Sequence, residues 1–117
     1  GHDSHNLTIV GTKDADMVLA GNHLKEIGGG LVIVADGEVK AALPLAIGGL
    51  MSSGKAETVN ARLQQLNFWL KETGVPEEYS TFMVLSFLSL PVIPELRLTD
   101  QGLVDVKQFR HVDIWCE

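Results

Sequence analysis

Apolar residues fall in short runs whose spacing changes along the chain. Residues 31–34 (LVIV) are continuous and mostly β-branched, Asp36-Gly37 follows, and residues 39–45 (VKAALPL) turn apolar again. An Asp-Gly pair between two strand-like runs predicts a two-residue hairpin turn, because the favoured turn needs positive φ at both central positions. A central β-hairpin over residues 31–45 is therefore expected. Since residues 31–34 do not alternate, that strand is expected to be covered on both faces, as in the middle of a sheet. Upstream, residues 7–10 (LTIV) predict a short strand. Met17, Ala20, Leu24 and Ile27 then recur at three- and four-residue steps, which predicts a helix over about 13–28. Thr12 is the expected N-cap, Asp14 and Asp16 suit the first turn, and Lys25 suits the last. Gly28 supplies the left-handed position that ends a helix. Strand, helix and strand together predict an N-terminal βαβ unit with a right-handed crossover.

After the hairpin, Pro44 and residues 47–53 (IGGLMSS) read as a loop, with Ser52 or Ser53 as the cap of a second helix. Val59, Leu63, Leu66 and Leu70 sit at steps of four, three and four, predicting that helix over about 55–73, where Gly74 and Pro76 stop it. Phe68 and Trp69 widen its apolar face and predict burial on more than one side. Residues 81–90 (TFMVLSFLSL) are apolar almost throughout, so periodicity leaves strand and helix both open. Pro91 and Pro94 predict an extended segment. Leu96-Arg97-Leu98 and residues 103–106 flank TDQG, a second and looser hairpin. Residues 109–115 offer a last short strand. The expected fold is α/β in the mixed α+β sense: one domain over residues 1–117, with a small sheet packed by two main helices.

A length of 117 residues suits one core, and 45% hydrophobic with 21% charged residues is ordinary for a globular chain. The formal net charge of −6 argues against nucleic acid or an anionic membrane as partner. No apolar run is long enough to cross a bilayer, and no secretory signal is visible. The lone cysteine, Cys116, has no partner for an internal disulfide and fits a reducing compartment; a cytoplasmic protein is expected. The chain opens on Gly1 rather than Met, so a piece of a longer protein is expected.

Candidate chemistry is sparse. Gly28-Gly29-Gly30 follows a helix, whereas a phosphate-cradling loop precedes one, so these glycines read as a cap. Gly48-Gly49 with Ser52, Ser53 and Gly54 does precede a helix, but without the Lys-Ser/Thr pair it does not complete the pattern of a nucleotide loop. His2, Asp3 and His5 carry metal-ligand chemistry, yet His23 and His111 lie far off in sequence and no complete metal site is legible. Residues 2–6 (HDSHN) read either as a polar turn satisfying its own backbone or as the lining of a polar pocket completed elsewhere. In the second reading Asp3, Ser4, His5 and Asn6 are the substrate-binding candidates. No Ser-His-Asp or Cys-His set can be assembled, Cys116 carries no mark of a lowered pKa, and Glu77-Glu78 reads as a solvated pair. No catalytic residue is assigned.

Three long blocks, HDSHNLTIVGT (2–12), GGGLVIVADGEVKAALPLAIGGLMS (28–52) and FMVLSFLSLPVIPELRLTDQGLVDV (82–106), resemble the C-terminal domain of bacterial-type adenine deaminase, of the amidohydrolase superfamily. The resemblance covers nearly the whole chain. It implies a parent enzyme of purine salvage that hydrolyses adenine to hypoxanthine and ammonia. Water would be activated there by a divalent metal, manganese or iron, in an upstream (β/α)₈-like barrel. That barrel is not in this sequence, so neither its metal ligands nor its turnover transfers to these residues, and the chain alone is expected to be inactive. The implied partners are the upstream barrel and, for the parent, adenine; a homo-oligomer is left open. In this setting residues 2–6 would join barrel to domain near the barrel mouth. The competing class is a non-catalytic α/β module for interaction or oligomerisation, with Phe68, Trp69 and residues 82–90 as docking surface.

Overall fold

The computed structural model describes residues 1–76 and 78–115. The expectations placed on Glu77 and Cys116 lie outside the described residues. The chain divides into two compact units, one formed by Ile9–Tyr79 and the other by Gly1–Thr8 with the residues from Ser80 on.

In the Ile9–Tyr79 unit, helix α1 spans Asp14–Ile27, strands β1 and β2 span Gly30–Ala35 and Glu38–Pro44, and helix α2 spans Ala56–Glu72. β1 and β2 form the predicted hairpin, a two-stranded antiparallel sheet with Leu31 opposite Leu43 and Ile33 opposite Ala41. The turn is Asp36-Gly37, with φ of 53° and 76°, the doubly left-handed geometry expected of that pair. A register shift between Ile33 and Val34 leaves Lys40 as the extra residue of a bulge. α1 packs chiefly on β1 and α2 chiefly on β2. Ile33, Ala41 and Leu43 are buried neighbours on one face of the hairpin, joined in the core by Ala20 and Leu24 of α1 and by Leu66 of α2, which is 0% exposed.

The glycines connect these elements by close approach. Gly28, with φ of 77°, ends α1, and Gly29 N–H donates to the Leu24 carbonyl at 2.8 Å, the wrapped C-terminus that glycine permits. A Cβ on Gly29 would stand 2.7 Å from Gly49 Cα, and one on Gly30 would stand 2.2 Å from the Leu43 carbonyl oxygen. Leu45 N–H donates back to the Gly29 carbonyl at 3.1 Å. The loop after β2 is a tight turn through Gly48 and Gly49, closed by pairing of Ile47 with Met51. The reading of both glycine groups as caps and turns agrees with this geometry.

Several local expectations are corrected. No strand forms at Leu7–Val10 among the described residues, so the βαβ unit loses its first strand; β1 has β2 as its ladder partner. Leu7 and Val10 are exposed, and Ile9 rests beside Gly21 of α1, so Ile9 packs on a helix instead of joining a sheet. β1 accordingly is not in the middle of a sheet, and Ile33 is its one buried residue. A β-branched run reports strand propensity, whereas the number of neighbouring strands depends on the rest of the chain. The N-caps fall at Lys13 and Lys55, not at Thr12 or Ser52/Ser53, and neither makes a side-chain cap. Ser52 Oγ instead accepts from Gly54 N–H at 3.0 Å. Phe68 is 55% exposed, so α2 is not buried on a second side there; the ring meets Trp69 edge-on at 5.4 Å, and Lys40 Nζ lies 5.5 Å from the Trp69 centroid.

The second unit contains helix α3 (Thr81–Leu88) and strands β3 (Leu96–Thr99), β4 (Gly102–Asp105) and β5 (Arg110–Val112). The ambiguous apolar run is thus helical. The three strands form an antiparallel meander in the order β3-β4-β5, which matches the second hairpin and the last short strand. Residues 90–95 were expected to be extended but fold through turns, with Val92 N–H donating to the Leu90 carbonyl at 2.8 Å. Proline fixes φ near −65°, which serves a tight turn as well as an extended chain.

The hairpin turn is fastened to the start of α1. Lys13 Nζ donates to Asp36 Oδ1 at 2.7 Å, and Gly37 N–H donates to Asp16 Oδ1 at 2.8 Å. The hydrogen bond and charge of Lys13 hold the Asp36 carboxyl below its ordinary range, and Asp36 raises Lys13 in return. A depressed carboxyl contributes stability above its unfolded range and loses it as pH falls through the folded value. Asp36→Asn, which keeps a residue tolerant of positive φ, is expected to lower the melting temperature slightly at neutral pH and low salt. The difference should vanish once acid protonates Asp36, and again at about 1 M salt, where the Debye length is about 3 Å. Melting curves of both proteins across pH check this, and a difference persisting in acid would contradict it. At the glycines, Gly28→Ala should cost about 1–2 kcal/mol for the left-handed backbone alone. Gly30→Ala adds overlap with the Leu43 carbonyl and should cost at least about 3 kcal/mol. Urea unfolding measures both, and equal losses would contradict the close approach.

Candidate functional site

Residues 2–6 belong to the same unit as α3. A turn at His2-Asp3-Ser4 sets the segment beside the C-terminal end of that helix. The His2 ring meets Phe87 edge-on, 6.0 Å between centroids with an interplanar angle of 75°. Ser4 Oγ and Ser89 Oγ share a hydrogen bond at 2.8 Å. Ser89 is buried and Ser4 is half-buried, so this bond lies largely out of water. Asp3 and His5 are exposed, and Asn6 is half-buried. His5 has φ of 57°, a left-handed backbone that asparagine, aspartate and histidine adopt more often than other non-glycine residues.

The four candidates therefore share one short turn with divided tasks. Ser4 anchors the turn, while Asp3 and His5 are exposed and make no side-chain hydrogen bond among the described residues. Ser4 bonds to a distant side chain, so the turn is not satisfied by its own backbone alone. Ser89 and Phe87 were not singled out from sequence. Ser89 is one of three hydroxyl residues in the largely apolar run 81–90, with Thr81 and Ser86, so nothing in the run marks it out. His23 lies on α1 in the other unit, and His111 is exposed on β5. Among the described residues, no three His, Cys, Asp or Glu side chains gather where they could hold a metal ion.

A concavity of about 210 Å³ opens in the Ile9–Tyr79 unit between the end of β2 and the start of α2. Ser52, Ser53, Thr58 and Arg62 line it with Leu43 and Pro44. Arg62 Nη1 donates to the Ala42 carbonyl at 3.2 Å, so part of its donor capacity already serves the fold. Neither region presents a nucleophile paired with a base.

The sequence profile of the adenine deaminase C-terminal domain matches residues 1–110. The chain belongs to this family. It is 57% identical to adenine deaminase of Moorella thermoacetica and 53% identical to adenine deaminase 2 of Carboxydothermus hydrogenoformans, each over 97% of its length. It is also 56% identical to adenine deaminase of Kosmotoga olearia over 91% of its length. The chain spans about a fifth of the length of these curated relatives, 20% and 19% for the Carboxydothermus and Moorella proteins. The family resemblance read from the three sequence blocks is thereby borne out, as is a mixed α/β fold.

The anchoring of residues 2–6 is directly testable. Ser89→Ala is expected to cost about 1 kcal/mol, the ordinary net contribution of one hydrogen bond, and to speed amide exchange in residues 2–6. Ser4→Ala combined with Ser89→Ala should cost less than the sum of the two single losses, because both remove the same bond. Simple additivity in urea unfolding would show that the hydroxyls act independently.

Proposed function

We propose that this chain is the C-terminal domain of an amidohydrolase-type adenine deaminase serving purine salvage in the cytoplasm, and that its two units act together as one domain. The reaction is adenine plus water giving hypoxanthine plus ammonia: an O–H adds at the purine C6 and the exocyclic amine departs. The observation that carries this reading is the family match over residues 1–110, supported by identities above one half with the three deaminases named above. The manganese or iron that the family resemblance implies would be held by the preceding part of the enzyme, in its barrel.

Within that enzyme, Asp3, Ser4, His5 and Asn6 close or read the purine pocket. Adenine offers N–H donors and ring-nitrogen acceptors, which a carboxylate, an imidazole and an amide complement. Ser4 holds the turn on α3, leaving Asp3 and His5 exposed for a ligand. Among the described residues no helix is long and apolar enough to cross a membrane, and the net charge of −6 favours neither nucleic acid nor an anionic membrane.

Two assays test this reading. The 117-residue chain incubated with adenine and manganese is expected to release no ammonia, and release would overturn the assignment of catalysis to the preceding part. In a full-length enzyme carrying this domain, His5→Ala is expected to raise KM for adenine about tenfold through loss of one polar ligand contact. Unchanged kinetics with unchanged stability would remove residues 2–6 from the pocket.

A further inference from the structure

α3 is a helix without a home. Its sequence, TFMVLSFL, contains no charged residue, and none of its residues is buried. Met83 is 60% exposed, Val84 50% and Leu88 38%. At 100° per residue these three fall within one side of the helix. A helix apolar all round is ordinarily buried all round, yet this one leaves that side to solvent. The unit around it is thinly cored, with Val106 the one buried apolar residue among its described residues, and it also leaves Leu96 and Leu98 of β3 exposed.

We propose that the Met83–Val84–Leu88 side of α3 is the surface on which the preceding part of the adenine deaminase chain docks. The inference rests on the reading of the chain as the C-terminal domain of a longer enzyme. Chain length and attachment identify the occupant. Relatives carry about four-fifths of their length outside the matched region, and a C-terminal domain receives that length ahead of its first residues. Those residues, Gly1–Thr8, belong to the same compact unit as α3, and His2 and Ser4 touch Phe87 and Ser89 at the C-terminal end of the helix. The preceding polypeptide is therefore delivered to α3 by its own covalent link. Tethering of this kind raises effective concentration to the millimolar range, about that of a short flexible linker, and favours it over any free partner.

Methionine oxidation reads this surface without any substitution. Hydroxyl-radical labelling with peptide mass spectrometry should oxidise Met83 at least about tenfold more slowly in a full-length adenine deaminase carrying this domain than in the 117-residue chain. The protection should persist on dilution to the monomer. Val84→Lys should abolish it in the long enzyme while shifting the melting temperature of the 117-residue chain by no more than about 2 °C, since the site is exposed there. Equal oxidation in the two proteins would overturn the proposal. So would protection that appears in the 117-residue chain as its concentration rises, or that disappears when the long enzyme is diluted, because either result assigns α3 to a second copy. Ammonia release from adenine by the same long enzyme tests the underlying reading separately. An enzyme inactive on adenine with Met83 protected would leave the docking surface standing and remove the substrate.

Discussion

One face of a two-stranded hairpin organises the larger unit. Two strands alone are marginal in water, so β1 and β2 persist because Ile33, Ala41 and Leu43 are buried with Ala20, Leu24 and Leu66. The close approaches set where that face can be. Gly30 lets its backbone meet the Leu43 carbonyl, Gly29 admits Gly49, and Gly28 turns α1 back towards β1. Side chains at Gly29 and Gly30 would push the loop after β2 and the strand end away, and the core face would open with them. The Lys13–Asp36 pair adds little by comparison, because both side chains are largely exposed and water screens them.

The parts legible in the sequence are those fixed by local physics. Asp36-Gly37 announced its turn because few residues tolerate two consecutive left-handed positions. The stripes at Met17, Ala20, Leu24, Ile27 and at Val59, Leu63, Leu66, Leu70 placed both helices within a residue or two. The parts that were not legible depend on distant neighbours. Leu7–Val10 has strand composition but joins neither sheet, and Ile9 settles beside α1 instead. Thr12, Ser52 and Ser53 have capping chemistry, but the helices begin after Lys13 and Lys55. Residues 81–90 were apolar enough for either element, and helix geometry prevailed there. The candidate turn at residues 2–6 was visible as a cluster of polar groups, whereas its anchor, Ser89, lies 85 positions away and no local pattern links them.

The two units differ in how far each can stand alone. The Ile9–Tyr79 unit contains six of the seven buried apolar residues found among the described residues; the other unit contains Val106. Burial of apolar area is the dominant stabilising term in folding, so the second unit draws little from its own interior. Its uncovered helix and the turn at residues 2–6 belong to the same unit, joined by the Ser4–Ser89 hydrogen bond. The proposed docking of α3 would add the burial that this unit's own interior lacks.

The most direct measurement of that claim is residue-resolved amide hydrogen exchange on the 117-residue chain. Amides of β1, β2 and the middle of α2 should exchange slowest, near the global unfolding limit. Those of α3 and of the β3–β5 meander should exchange through local opening, faster by at least about a hundredfold. Equal protection in the two units would contradict the account, because it would mean that α3 and its sheet need nothing beyond this chain to hold them.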